Sequence, residues 1–276
     1  MLYNRGRGRK GPSGPIQTET GVFMEKYDWQ ELVPQLTQLL RLQTPPVAMK
    51  WVETEEELAA IPKVRLHDKH LPPCTIVEHA AQFNWTSACR PENIHANYCR
   101  GINGMFQRDE KWYSGEMFNG VWFNNLAASQ AHNRALECIP PRYAAVVASP
   151  LASGRIQPDV IVVHVSPAQA FLLLAGYQFE QYEKLEFTFV GESTCSDSWC
   201  RTFLTGKPSI GLPCYADKKF AGMGENELRL TFTAQGLVRA VEGLKGLHKN
   251  GLRYPIASYS LTSDILDGLP RHYLEF

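Results

Sequence analysis

The chain has 276 residues, room for one large domain or two small ones. Hydrophobic residues make up 44% and charged residues 20%, a balance that fills a core and excludes disorder throughout. Lys plus Arg and Asp plus Glu number 28 each, so no field of one sign collects nucleic acid or an anionic membrane, and neither is expected as a partner.

The chain opens with a polar, Gly-rich stretch carrying Arg5, Arg7, Arg9 and Lys10. Residues 1–22 are expected to be a disordered basic arm and residues 23–276 a single globular domain. No apolar stretch follows the basic start, so a secretory signal is not expected and a cytoplasmic address is. Thiols stay reduced there, which turns the 7 cysteines toward metal binding, nucleophilic chemistry or plain burial rather than disulfides.

Leu32, Leu36, Leu39 and Leu40 fall on one helical face behind Asp28, a suitable N-cap. Pro45 and Pro46 stop that helix, and Val47 to Val52 alternates as a strand. Thr54 followed by Glu57 predicts a second, capped helix that ends near Pro62. Pro72-Pro73 places Cys74 in the first turn of a third, running to about Phe83. Residues 84–115 read as an irregular connection around a short helix, and Val121 to Cys138 as a longer helix. Strands are predicted at Ala144 to Ser149, Val160 to Val165, Leu185 to Val190 and Leu228 to Phe232, with a weaker one at Ser209 to Leu212. Helices are predicted at Pro167 to Phe179, Ser196 to Leu204 and Thr233 to His248. The apolar run Val160 to Tyr177 contains His164, Ser166, Pro167 and Gln169, so it reads as strand, turn and helix rather than a membrane span. The fold expected is α/β or α+β, one domain with a mixed β-sheet flanked by helices.

The cysteines divide by context. Cys138 ends an amphipathic stretch and reads as a small buried hydrophobe. Cys89 and Cys200 read as structural, though exchange with a ligand position stays open. Cys74 stands at a helix N-terminus, where free N–H groups favour a thiolate. Cys99 opens Cys99-Arg100-Gly101-Ile102, Cys195 lies between a predicted strand and helix, and Cys214 follows a short strand. Loops of this kind present ligands on rigid scaffolds. Soft thiolates select iron–sulfur clusters or zinc, although no C-x-x-C pair is present. At the α-helical period, Cys195 and Cys200 do not share a face.

Several stretches resemble one family: Pro46-Val47-Ala48-Met49-Lys50, Ser166-Pro167-Ala168-Gln169-Ala170, Leu212-Pro213-Cys214-Tyr215 and Arg253-Tyr254-Pro255-Ile256. Over roughly Leu32 to Ile256 the chain resembles domain-of-unknown-function family 169, found mostly in anaerobic bacteria and archaea. The resemblance implies recurrent cysteines at Cys74, Cys99, Cys195 and Cys214. Two places depart from the family pattern. Cys99-Arg100-Gly101-Ile102 stands for Cys-Pro-Gly-Gly, and Ala216-Asp217-Lys218-Lys219 for Gly-Asp-Arg-Arg.

Rival readings are weaker or remain as alternatives. Leu204-Thr205-Gly206-Lys207-Pro208 lacks a phosphate loop's first glycine, with Arg201 in its place, and has Pro208 where Ser or Thr is needed. A cysteine nucleophile would need a histidine base, and His79, His164 and His248 are candidates that no spacing links to a thiol. The aromatics from Phe83 to Phe123 read as a cofactor wall or a surface that pairs two copies. The expectation is therefore a cytoplasmic [4Fe–4S] protein ligated by Cys74, Cys99, Cys195 and Cys214. It would carry out redox or electron-transfer chemistry on a small molecule or with a redox partner protein. Lys50 and Arg100 are expected beside the cofactor. The alternatives are a metal-free thiol enzyme and a non-catalytic maturation partner.

Overall fold

The structure, a computed structural model, describes residues 16–17, 23–24, 27–258, 264, 266, 269 and 271–275. The expected basic arm lies outside the described residues except for Ile16–Gln17 (β1), whose backbone pairs antiparallel with Phe23–Met24 (β2).

Trp29–Leu40 (α1) starts where predicted, because the Asp28 carboxylate accepts from the Gln30 and Glu31 N–H groups. Val47–Val52 (β3) follows, then Glu55–Ala60 (α2) capped by Thr54, and Pro73–Phe83 (α3). Inside the connection predicted to be irregular lie a short strand, Ser87–Cys89 (β4), and the helix Asn97–Ile102 (α4). Glu110–Tyr113 (α5) precedes Leu126–Ala135 (α6). The last is shorter than its predicted 121–138, because Asn125 caps it by accepting from the Ala128 N–H and Leu136 is already extended.

Ala145–Pro150 (β5) and Val160–Val165 (β6) are buried along their whole length. Pro167–Gln178 (α7) begins with a reciprocal capping box between Ser166 and Gln169. Arg201–Thr205 (α8), Ser209–Gly211 (β7), Leu228–Phe232 (β8) and Ala234–Lys249 (α9) complete the main elements.

Six strands form one sheet in the order β4-β5-β3-β6-β8-β7. Every ladder in it is antiparallel, so the expected mixed sheet is an antiparallel one with helices on both faces. β5 and β6 are continuous apolar runs without alternation. They reflect burial on two sides, which an antiparallel sheet covered by two helical layers also imposes.

The sheet separates two cores. On one face Ala48 and Val52 pack with α1, α7 and α9; on the other Met49 and Trp51 pack with α3, α4, Trp199 and several cysteines. The predicted strand at Leu185 to Val190 is not a strand. Its Thr188 hydroxyl and Val190 N–H donate to the Asp197 carboxylate at 2.7 and 2.9 Å, so this segment is held by a side chain instead of a sheet neighbour.

On the first face α7 crosses α9 so closely that a Cβ on Gly243 would collide with the Gly176 carbonyl oxygen. Gly243→Ala is therefore expected to lower stability by about 1–3 kcal/mol through overpacking. Urea unfolding would measure it, with the fold and the opposite face unchanged.

Candidate thiol site

The second face gathers the cysteines. Cys74 lies in the first turn of α3, Cys99 inside α4, Cys195 just before a π-helical segment at Ser196–Cys200, and Cys214 in the loop before another at Asp217–Ala221. Three of the four thus stand at the N-terminal end of a helical turn, where the backbone favours negative charge. Single π turns recur at functional sites.

Burial is the largest cause that raises each of the four thiols, and Cys99 reaches about 12. Beyond burial, Cys74 is raised by Asp217, Cys99 and Cys214 and lowered by Arg229. Cys99 is raised by Cys214, Glu192 and Asp217. Cys195 is raised by Cys200, Cys99, Cys214 and Asp217. Cys99 and Cys214 therefore lie within charge range of each other and of both Cys74 and Cys195, although Cys74 and Cys195 do not act on one another. Among the described residues, no group of three or more His, Cys, Asp or Glu side chains is placed to hold a metal ion.

The other cysteines are occupied by structure. The Cys89 thiol donates to the Leu71 carbonyl at 3.5 Å, Cys138 to Leu136 at 3.5 Å and Cys200 to Ile102 at 3.6 Å. Cys200 does approach Cys195, against the expectation at the α-helical period. The intervening segment is π-helical, and i→i+5 bonding brings residues five apart onto one side.

Of the two residues expected beside a cofactor, Lys50 lies on the other face of the sheet and Arg100 stays next to Cys99 with its Nε engaged. Lys50 alternates with Met49 and Trp51, so it falls on the opposite face of β3 with Ala48 and Val52. There its ammonium acts on the Asp159 carboxyl. Arg100 follows Cys99 in α4, but its Nε donates to the Ile94 carbonyl at 2.6 Å and ties the preceding loop. Asn103 does more for the Cys99 turn. Its Nδ2 donates to the Cys99 carbonyl at 2.9 Å, while its Oδ1 and carbonyl accept from Trp199 and Trp51 at 3.0 and 3.1 Å.

Behind the thiols lies a buried ionic network of Arg229, Asp217, Glu78 and His164, of which the sequence reading did not single out Arg229. Arg229 is fully buried on β8, and its Nη1 donates to Asp217 Oδ1. The other oxygen of Asp217 accepts from the Cys214 N–H at 3.1 Å. Arg229 Nη2 lies 3.5 Å from Glu78 Oε1, and Glu78 stands four residues after Cys74, on the same face of α3.

His164, opposite Arg229 in the β6–β8 ladder, has Nε2 3.2 Å from the same Glu78 oxygen. Burial and Arg229 push His164 down to about 3, so it is neutral and the contact is not an ion pair. Burial works against the charge on Arg229, but Asp217, Cys74 and Glu78 hold it above its ordinary value. The legible signal was an arginine between two leucines in the strand Leu228-Arg229-Leu230-Thr231-Phe232.

The aromatic-rich connection is mostly interior. Tyr98 stacks on Trp112 at 4.9 Å and meets Phe118 edge-on at 4.4 Å, with all three buried. The Tyr98 hydroxyl lies 3.1 Å from His132 Nδ1, and His132 Nε2 lies 3.1 Å from the Glu192 carbonyl. That chain of contacts fixes the loop ahead of Cys195. Glu192 is raised by burial, while the Tyr215 N–H and the Cys214 thiol, both donating to it, pull it back.

A family model described as DUF169, uncharacterised ArCR, matches residues 35–243. The chain belongs to domain-of-unknown-function family 169. Over 231 residues it is 23% identical to the uncharacterized protein MJ0308 of Methanocaldococcus jannaschii, covering 80% of this chain and 96% of that protein. No solved structure matches the chain. Among the described residues no helix is long and apolar enough to cross a membrane.

Two outcomes follow from the network in this family member. Asp217→Asn leaves the buried Arg229 without its closest partner and is expected to cost about 3–5 kcal/mol. The double variant Asp217→Asn/Arg229→Met should lose less than the sum of the single variants, as read from urea midpoints. Burial pushes the Glu78 carboxyl up to about 7 from an ordinary 4.5, and Arg229 opposes the rise. The folded chain then binds more protons than the unfolded chain between those values, so stability contributed by Glu78 falls as pH rises from about 4.5 to about 7. Glu78→Gln should flatten that slope in denaturation midpoints taken across the interval.

Proposed function

We propose that Cys74, Cys99, Cys195 and Cys214 ligate an iron–sulfur cluster, [4Fe–4S], and that the protein uses it for electron transfer or redox chemistry on a small molecule. The observation that carries this reading is that Cys99 and Cys214 share one region of the second face and act on both Cys74 and Cys195, so four separate chain segments are linked through their thiols.

The donor set fits the group: soft sulfur ligands, a water-excluding wall that includes Trp199 and Met49, and a buried cation, Arg229, that acts on the Cys74 sulfur. The donors are not gathered about a single point. The reading therefore requires a polynuclear core, whose own iron and sulfide would have to span the protein ligands. Within such a site Asp217 fixes the Cys214 turn through its backbone N–H, and Asn103 fixes the turn of Cys99. Ligation displaces the thiol protons that burial holds in place, so loading is favoured by raising the pH. A reducing cytoplasmic compartment suits free thiols of this number.

The alternative of a metal-free cysteine nucleophile finds less support. Such nucleophiles have depressed values, whereas burial raises all four thiols, and no histidine figures among the groups that shift them.

Anaerobic reconstitution with iron and sulfide tests the reading. The expected product carries about four irons per chain and absorbs broadly in the visible blue. Cys74→Ser, Cys99→Ser, Cys195→Ser and Cys214→Ser should each lose cluster, while Cys89→Ser and Cys138→Ser should keep it. A colourless product free of iron would overturn it.

A further inference from the structure

Three loops meet at a cavity of about 420 Å³ above Cys214. The segment before α6 supplies Trp122 and Phe123, the segment ahead of Cys195 supplies Phe189 and Glu192, and the loop after β7 supplies Cys214 and Tyr215. A cavity of this size holds a ligand of two or three rings. Trp122, Phe189 and Tyr215 are 45%, 68% and 53% exposed at its mouth. Large aromatic rings left in water at one concave place mark a binding surface.

The walls are held in position. Phe123 rests against His132 at 5.0 Å between ring centroids, and Trp122 meets Tyr215 edge-on at 5.7 Å. Lys219 lies 5.3 Å from the Tyr215 ring and donates to its hydroxyl at 3.2 Å, so that ring is fixed from outside the cavity. Gly191, at φ +91, has nothing within 4 Å of where a Cβ would stand, which leaves the mouth open beside Glu192.

The lining chemistry narrows the occupant. The lining holds no lysine, arginine or histidine, so nothing compensates a phosphate or carboxylate brought inside. Aromatic faces stack on flat rings. The Glu192 carboxyl accepts from the Tyr215 N–H at a long 3.4 Å and from the Cys214 thiol, and its two oxygens retain lone pairs for a further donor.

We propose that this cavity binds a planar, uncharged heteroaromatic ring that turns an N–H edge toward Glu192. Such a ring would lie directly over Cys214. Only its redox meaning rests on the iron–sulfur reading, since the binding chemistry is supplied by side chains outside the thiol set.

Lumiflavin, a neutral three-ring probe with one N–H edge, tests this by quenching of its own fluorescence on the full chain, as purified and after removal of iron. Saturable quenching is expected in both. Trp122→Ala and Phe189→Ala, both at exposed positions, should each weaken binding about tenfold, a loss of about 1.4 kcal/mol, while Phe171→Ala on the exposed side of α7 should leave it unchanged. The N-methylated analogue 3-methyl-lumiflavin should bind more weakly than lumiflavin to the native chain and equally well to Glu192→Ala. Absence of saturable quenching, or quenching indifferent to Trp122 and Phe189, overturns the site. Equal binding of the methylated probe by the native chain overturns the role of Glu192. Normal lumiflavin binding by a chain that never takes up iron would end the iron–sulfur reading and leave the cavity standing.

Discussion

The buried pair of Arg229 and Asp217 is the constraint on which the thiol face depends. An unpaired guanidinium could not be held in so dry a place, and Asp217 answers it with one oxygen while the other holds the Cys214 turn. Arg229 also reaches Glu78, one helical turn beyond Cys74. One side chain on β8 thereby relates two cysteines that are 140 residues apart in sequence. Several atoms of the network, namely both Glu78 oxygens, His164 Nε2 and Arg229 Nε and Nη2, are buried without a hydrogen bond of good geometry. A network that is only partly satisfied is sensitive to any change of charge close by, and the thiols are close by.

The two π segments serve the same end. Each follows a candidate cysteine, and each contains an aspartate that satisfies backbone outside its own turn: Asp197 holds the 188–190 segment and Asp217 holds Cys214. Winding to a five-residue hydrogen bond widens the turn and swings its side chains relative to an α-helix. The carboxylates can therefore point back toward the loops that precede them.

Much of the scaffold was legible in residues that act locally. Asp28, Thr54, Ser166 with Gln169, and Thr233 each cap a helix near its predicted start. The apolar strands β3, β5, β6 and β8 also lie within a residue of their predicted limits. What was not legible depends on distant partners. The segment 185–190 has a strand's alternation but finds Asp197 instead of a neighbour, and the three-residue β4 is held between β5 and the backbone of Arg65. The candidate thiols were chosen through turn chemistry and family likeness, and the structure gives Lys50 and Arg100 other contacts than those expected. Strand alternation sends the first to the other face, and the second finds the Ile94 carbonyl. Arg229, Glu78 and Asn103 act only through contacts made in three dimensions.

The sheet has one more effect. With Ala48 and Val52 facing α1 and α9, and Met49 and Trp51 facing the cysteines, a single strand belongs to two interiors that share backbone but no side chains. The glycine-tight helix pair on one side works as ballast, and the polar, sulfur-rich side is free to be rebuilt without disturbing it. Durability and chemistry can thus drift independently in this architecture, like cargo exchanged on an unchanged hull.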